Sequence, residues 1–265
     1  MKFASIASGS SGNSIFLGTE HTSVLIDAGI SGRRIKEGLA GIDRSLSDID
    51  ALFITHEHID HVRGLGILMR RYGIPVYATG GTIARIRAME CLGKLPEELL
   101  RRIPEGEDVI VGDMKVHPFP VSHDAAEPCA YRIESGGRSA AVATDMGIYD
   151  DNVIQNLTGL DALLLESNHD LHMLQAGRYP YYLKRRIMGE KGHLSNDDAG
   201  RLLCSVLHDD LRYVFLGHLS QENNYEELAF ETVTQEVTLG DNPYKASDFD
   251  ISIAHRDRPG KPVEF

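Results

Sequence analysis

Short apolar runs alternate with amphipathic stretches along the whole chain. Runs at residues 3–6, 14–17, 24–26, 51–54, 76–78, 109–111, 115–119, 131–133, 140–143, 162–165 and 213–216 predict strands. The first of these lie close together with turns between them, which predicts antiparallel hairpins. Helical spacing predicts helices over residues 32–39, 66–71, 82–92, 152–157, 180–188, 195–207 and 225–234. The helix beginning at Ser195 is the best defined. Ser195 and Asp198 have capping-box spacing, with Asp in place of Glu or Gln, and Ala199, Leu202, Leu203, Val206 and Leu207 repeat at a helical period. Many strands with interspersed helices predict a layered α/β fold, with two sheets inside and helices outside.

Composition narrows this picture. Of 265 residues, 42% are apolar and 25% charged, which is ordinary for a globular protein and excludes pervasive disorder. No apolar run approaches the length of a membrane span, and the N-terminal segment is too quickly interrupted by Ser and Gly for a signal peptide. Cys91, Cys129 and Cys204 form no CxxC pair, so a disulfide framework is excluded and a cytoplasmic location is expected. No repeat or low-complexity linker interrupts the chain. A single domain over residues 1–254 is expected, followed by a polar, poorly ordered tail at 255–265.

The candidate chemistry lies in the twelve histidines. The segment Thr55-His56-Glu57-His58-Ile59-Asp60-His61 directly follows an apolar run. Three imidazoles and a carboxylate beside a core are costly unless something binds them, and these are the donors that Zn²⁺, Mn²⁺ and Fe accept. In an extended start His56 and His58 point the same way, and a turn after them would bring Asp60 and His61 to a second ion. Further donors stand at other strand ends: His123 after 115–119, Asp145 after 140–143 and His218 after 213–216. Each time a buried strand delivers one donor to a loop. His21, His117, His172, His208 and His255 have no such setting and read as surface or satisfied core residues.

These motifs, taken in order, resemble those of the metallo-β-lactamase fold hydrolases over almost the whole chain. The resemblance implies a four-layer αβ/βα sandwich, two mixed sheets flanked by helices, with metals at one edge. It implies that His56, His58 and His123 hold one divalent ion, that Asp60, His61 and His218 hold a second, and that Asp145 bridges them. Three more segments narrow the match: Ser8-Gly9-Ser10-Ser11-Gly12-Asn13-Ser14, Leu163–Asp170, and Lys191-Gly192-His193-Leu194-Ser195. With Gly217–Asn224 they resemble the YycJ branch (also called WalJ or VicX), which is similar to ribonuclease Z and to cyclic phosphodiesterases. By that resemblance His193 is a non-ligand histidine beside the phosphate and Glu166 orients it. His169 and Asp170 would be outer or substrate contacts, and Ser11, Asn13 and Ser220 would line the substrate site.

The resulting expectation is a phosphodiesterase with two divalent ions, acting on DNA as a 5′-to-3′ exonuclease. The nucleophile would be hydroxide held by the metals, positioned by Asp60, with His193 assisting the leaving group. A small-molecule hydrolase of cyclic diesters, thioesters or lactones on the same fold is the alternative. Charge bears on the partner. The chain carries −12 overall, yet residues 62–102 carry +5, residues 178–201 carry +3 and residues 220–265 carry −6. A positive cleft on an acidic body suits a nucleic-acid backbone, DNA rather than RNA by the resemblance; two solvated helix faces would read the same way.

Overall fold

A computed structural model describes residues 1–104 and 106–265. The first sheet is built from β1 (Lys2–Ala7), β2 (Ser14–Gly18), β3 (Ser23–Ile26), β4 (Ala51–Phe53), β5 (Val76–Ala78) and β6 (Leu100–Arg102). The second takes β7 (Val109–Val111), β8 (Met114–Pro120), β9 (Cys129–Ser135), β10 (Arg138–Ala143), β11 (Ala162–Glu166), β12 (Tyr213–Gly217) and β13 (Asp250–Ile253). A last strand, β14 (Val263–Glu264), returns to the first sheet beside β1. Helices α1 (Gly32–Ala40), α2 (Ile59–Val62), α3 (Leu65–Tyr72) and α4 (Gly80–Arg87) accompany the first sheet. Helices α5 (Asp151–Leu157), α6 (Leu171–Ala176), α7 (Tyr181–Ile187), α8 (Asn196–Val206) and α9 (Glu226–Leu239) accompany the second.

Both sheets are mixed, and each begins with antiparallel strands and continues parallel. The predicted hairpins β1–β2–β3 are antiparallel, and β3 to β6 then run parallel. In the second sheet β7 to β10 are antiparallel and β10 to β13 parallel. Alternate side chains along one strand enter different layers. Val24 and Ile26 of β3 pack between the sheets, while Leu25 faces the helices; Leu164 of β11 packs between the sheets, while Leu163 and Leu165 face α8 and α9. Burial on both faces explains why these strands read as unbroken apolar runs. Three apolar layers therefore separate four layers of secondary structure, the αβ/βα sandwich that the sequence implies. No helix among the described residues is long and apolar enough to cross a membrane.

The differences from expectation have local causes. Strand β6 is an edge strand whose exposed Arg101 and Arg102 hide any apolar alternation. Helices α2 and α6 are too short to express a period, at four and six residues. Helix α4 ends at Arg87 because Met89 turns extended, and α9 runs on to Leu239. The tail is the main correction. Rather than being loose, it pairs β14 with β1, and Arg256 donates to the Leu219 carbonyl at 3.0 Å. The carbonyl of His255 accepts from Ser8 N at 2.9 Å.

Two features of this frame fix the loops at the carboxyl ends of the parallel strands. Ser8, held by the tail, accepts through Oγ from His218 N at 2.9 Å. On the other side, Gly29 lies against the backbone of Asp60. A Cβ built there would meet Asp60 O at 1.5 Å, so only glycine permits the approach.

Deleting residues 255–265 should lower the melting temperature by roughly 5 °C or more. Several hydrogen bonds are lost at about 1 kcal/mol each, and a chain of this size shifts by about 2–4 °C per kcal/mol. Melting within a degree of the full chain would contradict the tail's place in the fold. Gly29→Ala should displace the Asp60 loop, and calorimetry should record reduced divalent-metal affinity together with a lower melting temperature. Unchanged affinity would show that the close approach has no bearing on the loop.

Candidate metal centre

Strands of both sheets deliver their donors to one edge. Thr55 to His61 follow β4, with His58 as the N-cap of α2 and with Asp60 and His61 inside that helix. His123 follows β8, Asp145 follows β10, Glu166 ends β11 and His218 follows β12. Three residues at this edge, Asp27, Asp145 and His218, take left-handed backbone angles, with φ of 63°, 59° and 55°. Such a conformation costs a non-glycine residue about 1–3 kcal/mol, and it concentrates at functional sites. Here it turns the Asp145 and His218 side chains into a common pocket and the Asp27 side chain onto the outer nitrogen of His61.

The side chains converge closely. His58 Nδ1 lies 3.3 Å from His123 Nε2, and the His56 ring is centred 4.6 Å from that of His58 and 4.9 Å from that of His123. Asp60 Oδ2 lies 3.6 Å from both His61 Nε2 and His218 Nε2. Asp145 stands between the two groups. Its Oδ2 is 3.2 Å from His61 Nε2, and its Oδ1 is 3.5 Å from His218 Nε2 and 3.7 Å from His123 Nε2. Four groups could each hold a cation, with donor atoms within 4.8 Å of one another: His56, His58 and His123; Asp60, His61 and His218; His56, His61 and Asp145; and Asp145, Glu166, His193 and His218. All seven predicted ligands are thus brought together.

The outer hydrogen bonds decide which ring atoms face inward. His61 Nδ1 meets Asp27 Oδ2 at 2.8 Å, His218 Nδ1 meets Glu166 Oε1 at 2.8 Å and His123 Nδ1 meets the Gly192 carbonyl at 3.0 Å. The Thr55 hydroxyl donates to Asp27 Oδ2 at 2.9 Å and meets His56 Nδ1 at 3.0 Å. Each outer partner leaves Nε2 directed into the pocket. Inside, His56 Nε2, His218 Nε2 and Asp145 Oδ2 are buried with no hydrogen-bond partner. Buried polar atoms rarely remain unpaired, and imidazoles anchored through one nitrogen with the other left open are the arrangement of metal ligands. The residues therefore fit divalent cations.

Electrostatics agree. His218 is pushed up to about 10: burial opposes the charge, but Asp145, Asp60 and Glu166 outweigh it. His61 is raised well above its usual range against burial by Asp145, Asp27 and Asp60. His56 is held well below its usual range by burial and by the neighbouring His61. Asp145 is held well below the usual carboxylate range because His218 and His61 override its burial. The acidic groups thus retain protons on His61 and His218, and a cation entering the pocket takes their place.

Glu166 and His193 meet as the sequence predicts. Glu166 is fully buried, and Oε1 accepts from His193 Nδ1 at 2.8 Å as well as from His218. Its Oε2 accepts from Met146 N at 2.9 Å and Leu194 N at 3.2 Å. The His193 and His218 pairings hold this carboxyl at about 2 despite burial. The His193 ring keeps Nε2 without a protein partner among the described residues.

The expected substrate contacts fare differently. Asn13 is buried: its Oδ1 accepts from Gly9 N at 2.9 Å, and its Nδ2 lies 3.1 Å from His61 Nε2. It ties the glycine-rich loop to the cluster and is not open to substrate. Ser220 is also buried and accepts from Asn223 N at 3.2 Å, which makes it a turn residue. Ser11 is half-buried and shows no hydrogen bond among the described residues. Asp170 caps α6 through Met173 N at 2.7 Å, and so is spent locally. His169 is buried with both ring nitrogens unpaired, and burial lowers it to about 4. Asp27, Thr55 and Asp124 were not foreseen. Asp27 shares the signal of Asp145, an acid directly after an apolar strand. Of the first basic stretch, Arg87 pairs with Glu97 at 2.8 Å and Arg70 caps the Leu92 carbonyl at 2.8 Å, while Arg85 lines a cleft with Glu57 and Asp124. The second reaches the centre, where Arg186 pairs with Asp124.

Comparisons with known proteins agree with this geometry. The family described as the beta-lactamase superfamily domain matches residues 22–214. The exodeoxyribonuclease YycJ of Bacillus anthracis is 40% identical over 89% of this chain and 88% of its own. The exodeoxyribonuclease WalJ of Streptococcus pneumoniae is 39% identical over 91% of this chain and 89% of its own. The crystal structure of the metallo-beta-lactamase fold protein YhfI from Bacillus subtilis superposes with a TM-score of 0.71, at 17% identity, over 98% of both chains. That fold implies divalent-metal binding at the histidine–aspartate cluster. By sequence, by layer order and by its convergent donors, the chain belongs to the β-lactamase superfamily, within its YycJ/WalJ-like branch.

Proposed function

We propose that this protein is a phosphodiesterase using two divalent ions, Zn²⁺ or Mn²⁺, and that it degrades DNA as an exonuclease. His56, His58 and His123 would hold one ion, Asp60, His61 and His218 the other, and Asp145 would contact both. The observation that carries the reading is the His193–Glu166 pair at 2.8 Å. The pair supports a non-ligand role for His193 beside the cluster, and the exodeoxyribonuclease names of the two relatives support DNA as the substrate.

Phosphodiester cleavage needs an attacking water, neutralised phosphate charge and a proton for the leaving oxygen. When bound, divalent ions clamp phosphate oxygens and make a water acidic enough to attack near neutral pH. The remaining work falls to the protein. Asp60 is only partly buried, and its carboxylate accepts a hydrogen bond from the attacking water and fixes its line of approach. His193 keeps Nδ1–H on Glu166, so Nε2 is the atom that carries a proton to the leaving oxygen. Glu166 stays ionised and holds His193 and His218 at once, which sets the distance between proton donor and cluster. His193 lies just before α8 (Ser195 is its N-cap), where backbone N–H groups favour an anionic substrate.

His193→Ala should lower turnover of 5′-phosphorylated DNA by about 10²–10⁴-fold while metal content, read by elemental analysis, stays at the wild-type level. The loss should shrink on bis(p-nitrophenyl) phosphate, whose leaving group needs no proton. Equal losses on both substrates would remove His193 as the proton donor. Asp60→Ala should abolish both reactions. Comparing DNA labelled at the 5′ or 3′ end, RNA and a cyclic diester fixes substrate and polarity; cleavage of the cyclic diester alone would overturn the nuclease reading.

A further inference from the structure

We propose that the outer face of α7 is a platform for single-stranded nucleic acid, on which Tyr182 stacks a base while Arg186 takes the adjoining phosphate. The inference rests on the phosphodiesterase reading above and names how its polymer substrate reaches the centre. Helix α7 leads directly into that centre. His193 N donates to the Ile187 carbonyl at 2.9 Å, and the following turn supplies the Gly192 carbonyl that holds His123. The turn is bolted to the loop that carries His123 through Ser122 Oγ, which donates to the Glu190 carbonyl at 2.8 Å.

Two observations point to a ligand. Tyr181 and Tyr182 are 75% and 74% exposed, the most exposed aromatic side chains among the described residues. The Tyr181 face is covered by Arg185, 6.0 Å from its centroid, but the Tyr182 ring meets no side chain of the described residues in stacking or hydrogen bonding. An aromatic face left in water without a protein partner is a surface on which a base can stack. The second observation is charge. Residues 178–191 hold five Lys or Arg and one acid, a local +4 on a chain of −12.

Helical spacing joins the two. Residues 182 and 186 lie four apart, hence on one face and about 6 Å along the axis. Arg186 Nε donates to Asp124 Oδ2, and Asp124 Oδ1 lies 3.4 Å from His123 Nε2 and 3.8 Å from His58 Nε2. Arg186 therefore marks the rim of the cluster, and its two terminal nitrogens have no acceptor among the described residues. A guanidinium with free N–H groups is a phosphate ligand, and a bare aromatic one turn away is a base ligand. The acidic groups that act on Arg186 are Asp124, with which it pairs, and Asp60 of the cluster. A paired base inside a duplex has both faces covered by its neighbours, so the occupant that fits is an unpaired strand end.

The test is equilibrium binding of a 5′-phosphorylated, phosphorothioate-linked oligodeoxynucleotide carrying 2-aminopurine to the full-length, metal-loaded protein. Wild-type binding should quench the 2-aminopurine fluorescence. Tyr182→Ala should remove the quench and weaken Kd by about ten-fold or more, and Tyr182→Phe should restore both. Arg186→Gln should weaken binding and reduce the slope of log Kd against log salt by about 0.7. Undiminished quench and affinity in Tyr182→Ala would overturn the inference. So would a wild-type dimer that this substitution makes monomeric at unchanged strand affinity, since a second copy would then be the occupant. Strand binding that depends on Tyr182 in a protein cleaving no diester would instead overturn the phosphodiesterase reading and leave the platform standing.

Discussion

Imidazole nitrogens and carboxylate oxygens buried face to face need positive charge between them, supplied by protons or by a cation. At the strand ends of this protein, His56 Nε2, His218 Nε2 and Asp145 Oδ2 are in that position. The surrounding structure holds them there. Asp27 and Glu166 anchor His61 and His218 through their outer nitrogens, and the Gly192 carbonyl anchors His123. Left-handed backbone at Asp27, Asp145 and His218 adds further strain. Divalent cations taking the place of the protons on His61 and His218 would satisfy these atoms together, which is why the geometry fits positive charge at its centre.

The fold supplies the rigidity this requires. The strands that carry the donors, β4, β8, β10, β11 and β12, end at the same edge, and β4, β10, β11 and β12 are buried on both faces. A donor placed one or two residues past a strand end inherits the position of that strand. The glycine-rich loop, the Asp60 turn and the C-terminal segment then lock together around it: Asn13 N donates to Asp60 O at 2.8 Å, and Ser8 links the tail to His218. Glu166 extends the same logic to chemistry. A single carboxylate holds both a proposed metal ligand and the proposed proton donor, so their separation is set by one buried side chain.

Much of this was legible in the sequence because metal ligands are chemically conspicuous. Histidines and acids directly after apolar strands violate the pattern expected of a core, and His56, His58, Asp60, His61, His123, Asp145 and His218 all stand out on that ground. Asp27 has the same placement, but a lone acid after a strand is also an ordinary turn former, and no neighbouring histidine marks it. Thr55 acts through a hydroxyl, which is common at strand ends. Asn13 and Ser220 face the interior, since a loop rich in serine and glycine reads alike whether its polar groups point to solvent or to its own backbone. The order of the tail depends on backbone bonds to β1 and Ser8 across nearly the full chain length, and no local pattern records such contacts. The platform on α7 is similar: spacing places Tyr182 and Arg186 on one face, but only the tertiary structure sets that face beside His123.

The central claim is that the cluster exists to hold a pair of cations. Anomalous diffraction from crystals grown with Mn²⁺, and again with Zn²⁺, tests it without reference to activity. The account predicts two peaks about 3.5–4 Å apart, one against His56, His58 and His123 and the other against Asp60, His61 and His218, with Asp145 touching both. A single peak, or none among these seven residues at saturating metal, would contradict it.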